Sequence, residues 1–218
     1  MSDRLRPLWD FDDLEATEKR FRGQLEREET DAGRAEVLTQ LARVQGLRDE
    51  FDAGDRLLDE ATPLATSVAA RVRVALERGR LRRSGGDPAA ALPLFEEAFA
   101  VAGAGREDYL AGDAAHMAAL AAPDPEARQE WTRRGIELAN TSPAASYWLG
   151  PLLNNIGWEH FDAQEYEHAL EAFQGALEAR LRTPEQREAV QHARDAVAAA
   201  LRALGRADEA DAFSAGDR

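Results

Sequence analysis

A recurring block in which one large apolar residue sits between two small ones constrains this chain more than any other feature. Its clearest form runs from Leu152 to Glu178, where Gly157 stands twelve residues before Ala169, followed by Phe173 and Ala176. Two antiparallel helices approach closely only where a residue without a bulky side chain faces its partner. Gly157 and Ala169 mark such a crossing, and Phe173 fills the space one turn further on. The block recurs as Ala91, Phe95 and Ala98 with Gly79 twelve residues earlier, as Ala127 and Trp131 after Ala115, and as Ala210 after the turn Leu204-Gly205-Arg206. A degenerate copy is read at Ala53, Leu57 and Ala61. The steps between the leading alanines are 38, 36, 42 and 41 residues, the signature of stacked supersecondary units.

The pattern resembles the tetratricopeptide repeat (TPR). Because its minimal unit is about 34 residues, the longer steps, with Leu153-Asn154-Asn155 one turn before the glycine, are similar to the longer-period TPR type of kinesin light chains and bacterial peptide sensors. The resemblance covers residues 33–215. It implies an all-α fold, a right-handed superhelix (solenoid) of about five antiparallel helix hairpins in one continuous domain. Residues 1–32 supply an N-terminal helix, at roughly 11–30, and 216–218 a polar tail. Turn signals agree: Gly85-Gly86-Asp87-Pro88, Ala122-Pro123-Asp124-Pro125, Asn140-Thr141-Ser142-Pro143 and Thr183-Pro184 each place a break before a proline, with Asp124 and Thr183 as natural N-caps. About eleven helices are expected, and no period-two alternation suggests a sheet. Two departures stand out. Arg78 and Arg82 fall where apolar residues are expected, so the helical phase of 71–83 is open, and the last repeat carries Ala198 in place of the crossing glycine.

Composition narrows the chemistry. The absence of cysteine excludes disulfides and thiolate sites. The apolar runs Met117–Ala122 and Ala196–Leu201 are far shorter than the ~20 residues of a membrane span, and the charged N-terminus does not read as a signal peptide, so the cytoplasm is the expected location. A net charge of −14 disfavours nucleic acid and anionic lipid as partners. Only residues 66–105 carry a positive excess, in Arg71, Arg73, Arg78, Arg80, Arg82 and Arg83.

In a stack of hairpins the first helix of each pair lines the concave side. Residues near the crossing glycine then point into a groove: Asn154, Asn155, Trp158 and Phe161. Asparagines in this part of the helix hold the backbone of a bound peptide in the resembling family, since an amide matches a peptide unit as donor and acceptor; the alternative is that they bridge helices inside the stack. Trp158 is read toward the groove because it directly follows the crossing glycine, and Trp131 toward the core. The same phase puts Arg73, Arg80, Arg83, His116 and then His192 in the groove, a cationic stripe suited to an acidic peptide or C-terminus. The plain alternative is a solvated face, or pairing with Asp49, Glu50 and Asp52.

Nothing points to catalysis, a cofactor or a metal site. Glu165-x-x-His168 has the spacing of a di-iron ligand pair, but the bundle that uses it needs a second copy. Glu159 and His160, adjacent on a helix, diverge by about 100°. His116 and His160 read as partly buried core polar groups rather than as ligands. The chain is therefore expected to be a non-enzymatic scaffold, an adaptor or co-chaperone-like module that holds a protein or peptide in its groove. A structural, self-assembling role as a homodimer and a peptide-sensing regulatory subunit remain open beside it.

Overall fold

The structure, a computed structural model, describes residues 3–182 and 187–215. The expected cap at Thr183 with Pro184 and the tail at 216–218 lie outside the described residues. Eleven α-helices are present among the described residues, with no strand. They are α1 (Leu14–Leu25), α2 (Asp31–Leu47), α3 (Phe51–Ala61), α4 (Val68–Ser84), α5 (Pro88–Gly105), α6 (Asp108–Ala121), α7 (Pro125–Thr141), α8 (Leu149–Asp162), α9 (Tyr166–Leu181), α10 (Arg187–Ala203) and α11 (Ala207–Ala215). Short 3-10 helices occur at Arg6–Leu8, Thr62–Leu64 and Ser146–Trp148. The chain divides into two compact units, Met1–Arg134 and Gly135–Arg218.

In the first unit α2 packs on α3, α4 on α5 and α5 on α6, while α2 also lies against α4 and α4 against α6. Local chemistry sets the boundaries. Side-chain oxygens of Asp13, Thr30, Ser67, Asp87 and Asp124 accept from backbone N–H groups three residues on, satisfying donors that a helix start leaves open. Helix α1 is shorter than the expected 11–30 because Asp13 caps its start and Thr30 opens α2. The turn between α4 and α5 passes through Gly86 at φ +90°, a left-handed conformation that glycine adopts without strain.

The small-large-small block does what its spacing requires. A Cβ at Gly79 would overlap the Phe95 ring, and Ala91, Phe95 and Ala98 are fully buried. The helical phase of 71–83 is therefore not shifted. Arg78 and Arg82 sit at expected apolar positions because α3 supplies carboxylates for them: Arg78 reaches Asp59 at 2.8 Å, and Arg82 grips both oxygens of Asp55 at 2.6 and 3.2 Å.

The degenerate copy in α3 needs correction by one residue. Gly54, Leu58 and Ala61 are buried there, whereas Ala53 and Leu57 are only half-buried. Gly54 has the carbonyl of Ala42 3.2 Å from where its Cβ would stand. Ala42 precedes Gly54 by twelve residues, so this hairpin has the same register as the others. A glycine in the alanine position concealed it. Trp131 is buried and meets Phe99 edge-on at 5.3 Å.

In the second unit α8 packs on α9, α9 on α10 and α10 on α11. A Cβ at Gly157 would collide with the Phe173 ring, and Ala169, Phe173 and Ala176 are buried. Ala198 is fully buried at the corresponding position of α10, so alanine is small enough there. Phe173, Leu177, Val197, Leu201 and Ala210 belong to one continuous core.

Candidate functional site

Three helices of the first unit share a polar face built on one spacing. Glu36, Gln40 and Arg43 lie at i, i+4 and i+7 on α2, Arg73, Glu77 and Arg80 on α4, and Tyr109, Asp113 and His116 on α6. Such positions form one stripe along a helix. The stripes are joined by charge. Arg73 lies 3.4 Å from Glu36, Arg43 3.8 Å from Glu77, and Arg80 reaches Glu77 at 2.6 Å and also binds Asp113 on α6.

These charges are substantially buried. Side-chain exposure is 3% for Glu77, 8% for Asp113 and 12% for Arg80. Burial disfavours a charged guanidinium, but the carboxylates of Asp113 and Glu77 outweigh it and raise Arg80 above its ordinary pKa. Arg43 goes the other way. Burial and the neighbouring positive charge of Arg80 lower it, and the more distant carboxylates do not compensate. Arg43 is thus the cation of this face with the weakest internal partner. Glu77 Oε2 is the complementary case, a buried oxygen that accepts no hydrogen bond.

The chain's own N-terminal segment lies against this face. The Asp3 carboxylate accepts from Arg73 at 2.6 Å, and Arg4 pairs with Glu28 and Glu36. Leu5 is buried in the core beside Phe21 and Leu38. The Trp9 indole N–H donates to Gln40 at 2.9 Å. Phe11 stacks on Trp9 with ring centroids 4.7 Å apart, and the Arg43 guanidinium lies over both rings at 5.4 and 5.7 Å, within cation–π range. Residues 3–11 thereby present an acid, an apolar anchor and two aromatics to α2 and α4.

The sequence-expected residues fall into two groups. Arg73, Arg80 and His116 share the α2–α4–α6 face. Arg83, three residues beyond Arg80, lies toward the end of α4, where its Nε donates to the Leu120 carbonyl of α6 at 3.3 Å. The expected cationic stripe is instead charge-balanced, because each of Arg73 and Arg80 meets carboxylates of the same unit. Those partners are Asp3, Glu36, Glu77 and Asp113, not the expected Asp49, Glu50 and Asp52.

Asn154, Asn155 and Trp158 belong to α8 of the second unit. Both asparagines are half-buried, and the Asn155 side-chain Nδ2 is enclosed without a hydrogen-bond partner. Trp158 is 40% exposed, yet its ring meets Phe173 of α9 edge-on at 5.0 Å. Following the crossing glycine did not keep it from its partner helix, since an indole is long enough to reach round. Phe161 packs on both Trp158 and Tyr166. His192 is exposed on α10. His160 is half-buried, as read, and bonds Glu165.

Sequence reasoning missed Glu36, Gln40, Arg43, Glu77, Asp113 and the Trp9–Phe11 pair. A usable signal was present. Helices α2 and α4 each carry a polar row at i, i+4, i+7, and on α4 it lies apart from the Arg78 and Arg82 that face α3.

The fold and this face define a class: an all-α protein of stacked helical hairpins with a polar stripe on neighbouring helices. Among solved structures the chain is similar to BtubC (BKLC) from P. vanneervenii, at 14% identity and a TM-score of 0.66, over 97% of this chain and 89% of that one. At that identity the likeness speaks for the fold alone, an all-α arrangement of helical hairpins. No protein-family model matches the chain, and no curated protein matches it. No described helix is long and apolar enough to cross a membrane.

Proposed function

We propose that the protein is a non-enzymatic scaffold that binds an aromatic, carboxylate-bearing segment of a partner protein on the α2–α4–α6 face. One observation carries this reading: residues 3–11 of the chain already lie there, with Asp3 on Arg73, Trp9 on Gln40 and Arg43 over Trp9 and Phe11. A face that holds such a segment in cis has the chemistry to hold one in trans. Arg43, whose nearest carboxylate stands at 3.8 Å, is the cation best able to take a ligand carboxylate. Preformed helices bear no folding cost on binding, but an incoming segment must displace residues 3–11.

Affinity capture from the native extract with mass spectrometry tests the reading, comparing wild type, Arg43→Glu and the double variant Asp3→Ala/Trp9→Ala. Specific partners should be lost with Arg43→Glu and enriched when the internal segment is loosened. An identical set of partners for all three chains would count against it.

A further inference from the structure

The turn between α8 and α9 gathers three ligand-type side chains that the spacing of any single helix keeps apart. His160 stands in the last turn of α8, Glu165 caps α9, and His168 lies in its first turn. Gln164, at φ +62°, lets the chain reverse within four residues, and Glu165 N–H donates back to the His160 carbonyl at 2.8 Å. His160 Nδ1 and Glu165 Oε2 are 2.6 Å apart, His168 Nδ1 is 3.9 Å from the same oxygen, and the two rings are 5.3 Å apart. One ligand atom from each of the three lies within 4.8 Å of the others. The missing partner of the Glu165-x-x-His168 pair is thus His160 across the turn, not a second copy of the motif.

We propose that His160, Glu165 and His168 form a binding site for a divalent late transition-metal ion of the zinc type. Two imidazoles and one carboxylate are the donor set of borderline ions and leave coordination positions for water. Metal–ligand bonds of about 2.0–2.2 Å place donors on one ion roughly 3.3 Å apart. Small side-chain rotations close the present distances to that value, and exposures of 37%, 52% and 68% leave the rotamers free to make them. Magnesium and calcium are disfavoured, because both prefer oxygen shells. A bound ion would staple the end of α8 to the start of α9 and thus tighten the hairpin that carries Asn154, Asn155 and Trp158.

The test is calorimetric titration of the full chain with zinc chloride in a non-chelating buffer, with thermal unfolding measured alongside. One equivalent of zinc should bind saturably and raise Tm. His160→Gln/His168→Gln should abolish both effects, Glu165→Gln should weaken binding at least tenfold, and the control His192→Gln should leave it unchanged. Circular dichroism of each variant confirms that a loss is not unfolding; these side chains are at the surface, so the helical signal is expected to persist. The absence of one-equivalent binding, or equal binding by the double histidine variant, would overturn the site.

Discussion

Hairpins α4–α5 and α8–α9 share a core register and differ in everything they show beyond it. In both, a glycine on the first helix seats a phenylalanine from the second, Gly79 with Phe95 and Gly157 with Phe173. On α4, however, Arg73, Arg78, Arg80 and Arg82 each meet carboxylates of neighbouring elements. On α8 the Asn155 amide has an enclosed, unpaired nitrogen and Trp158 stands 40% exposed. The small-large-small block is thus a packing device indifferent to the residues around it. The character of each hairpin lies in its polar rows.

The comparison can be broken from either side. The largest effect belongs to the shared part. Gly157→Leu and Gly79→Leu force bulk into a filled phenylalanine site, and each should cost about 3 kcal/mol by overpacking, measured by denaturant unfolding. A tolerated leucine at either position would deny the common register. The next effect separates the hairpins. Asp113→Ala strips Arg80 of one of two carboxylates in a buried setting and should cost about 2 kcal/mol. Arg80→Met with Asp113→Leu should not recover that loss, because buried Glu77 then loses its 2.6 Å partner.

Acidity gives a smaller effect, seen in the first unit. Burial raises Glu18 and Glu28, but hydrogen bonds and charge from Arg48 and Arg22, and from Arg4 and Gln24, outweigh it and leave both carboxyls below their ordinary value. Groups depressed on folding stabilise the native state above their unfolded pKa, about 4.3, and that contribution is lost as pH falls through the lower folded value. Unfolding midpoints followed from pH 7 to pH 3 should therefore fall below about pH 4.5. Glu18→Gln should flatten part of that slope. The smallest effect is Asn155→Ala, within about 0.5 kcal/mol of wild type, because the amide nitrogen it removes has no bond to lose. A cost above 1 kcal/mol would mean that Asn155 is a structural bridge.

Most of the fold was legible because close helix crossings demand small residues at fixed spacing, and Gly79, Ala91, Gly157 and Ala169 advertise them. The α3 copy was misread by one position because Gly54 replaced the expected alanine. The binding face was only partly legible. Arg73, Arg80 and His116 follow from helical phase, and Glu77 lies one turn from Arg80, but other carboxylates that meet the two arginines stand 33 to 70 positions away, as with Asp113 and Asp3. No local pattern reports such a partner. Trp9 and Phe11 were invisible as site residues for the same reason, since their role depends on a segment folding back over α2.

Recognition of an aromatic, carboxylate-bearing segment by this face is tested most directly by a labelled peptide with the sequence of residues 3–11. Fluorescence anisotropy would follow its binding to full-length wild type, to Asp3→Ala/Trp9→Ala, and to that variant with Arg43→Glu added, each checked for native helical content. The account predicts saturable binding to the double variant, at least tenfold weaker binding to wild type, whose own segment competes, and none once Arg43 is reversed. Saturable binding absent from a folded double variant, or unaffected by Arg43→Glu, would contradict it.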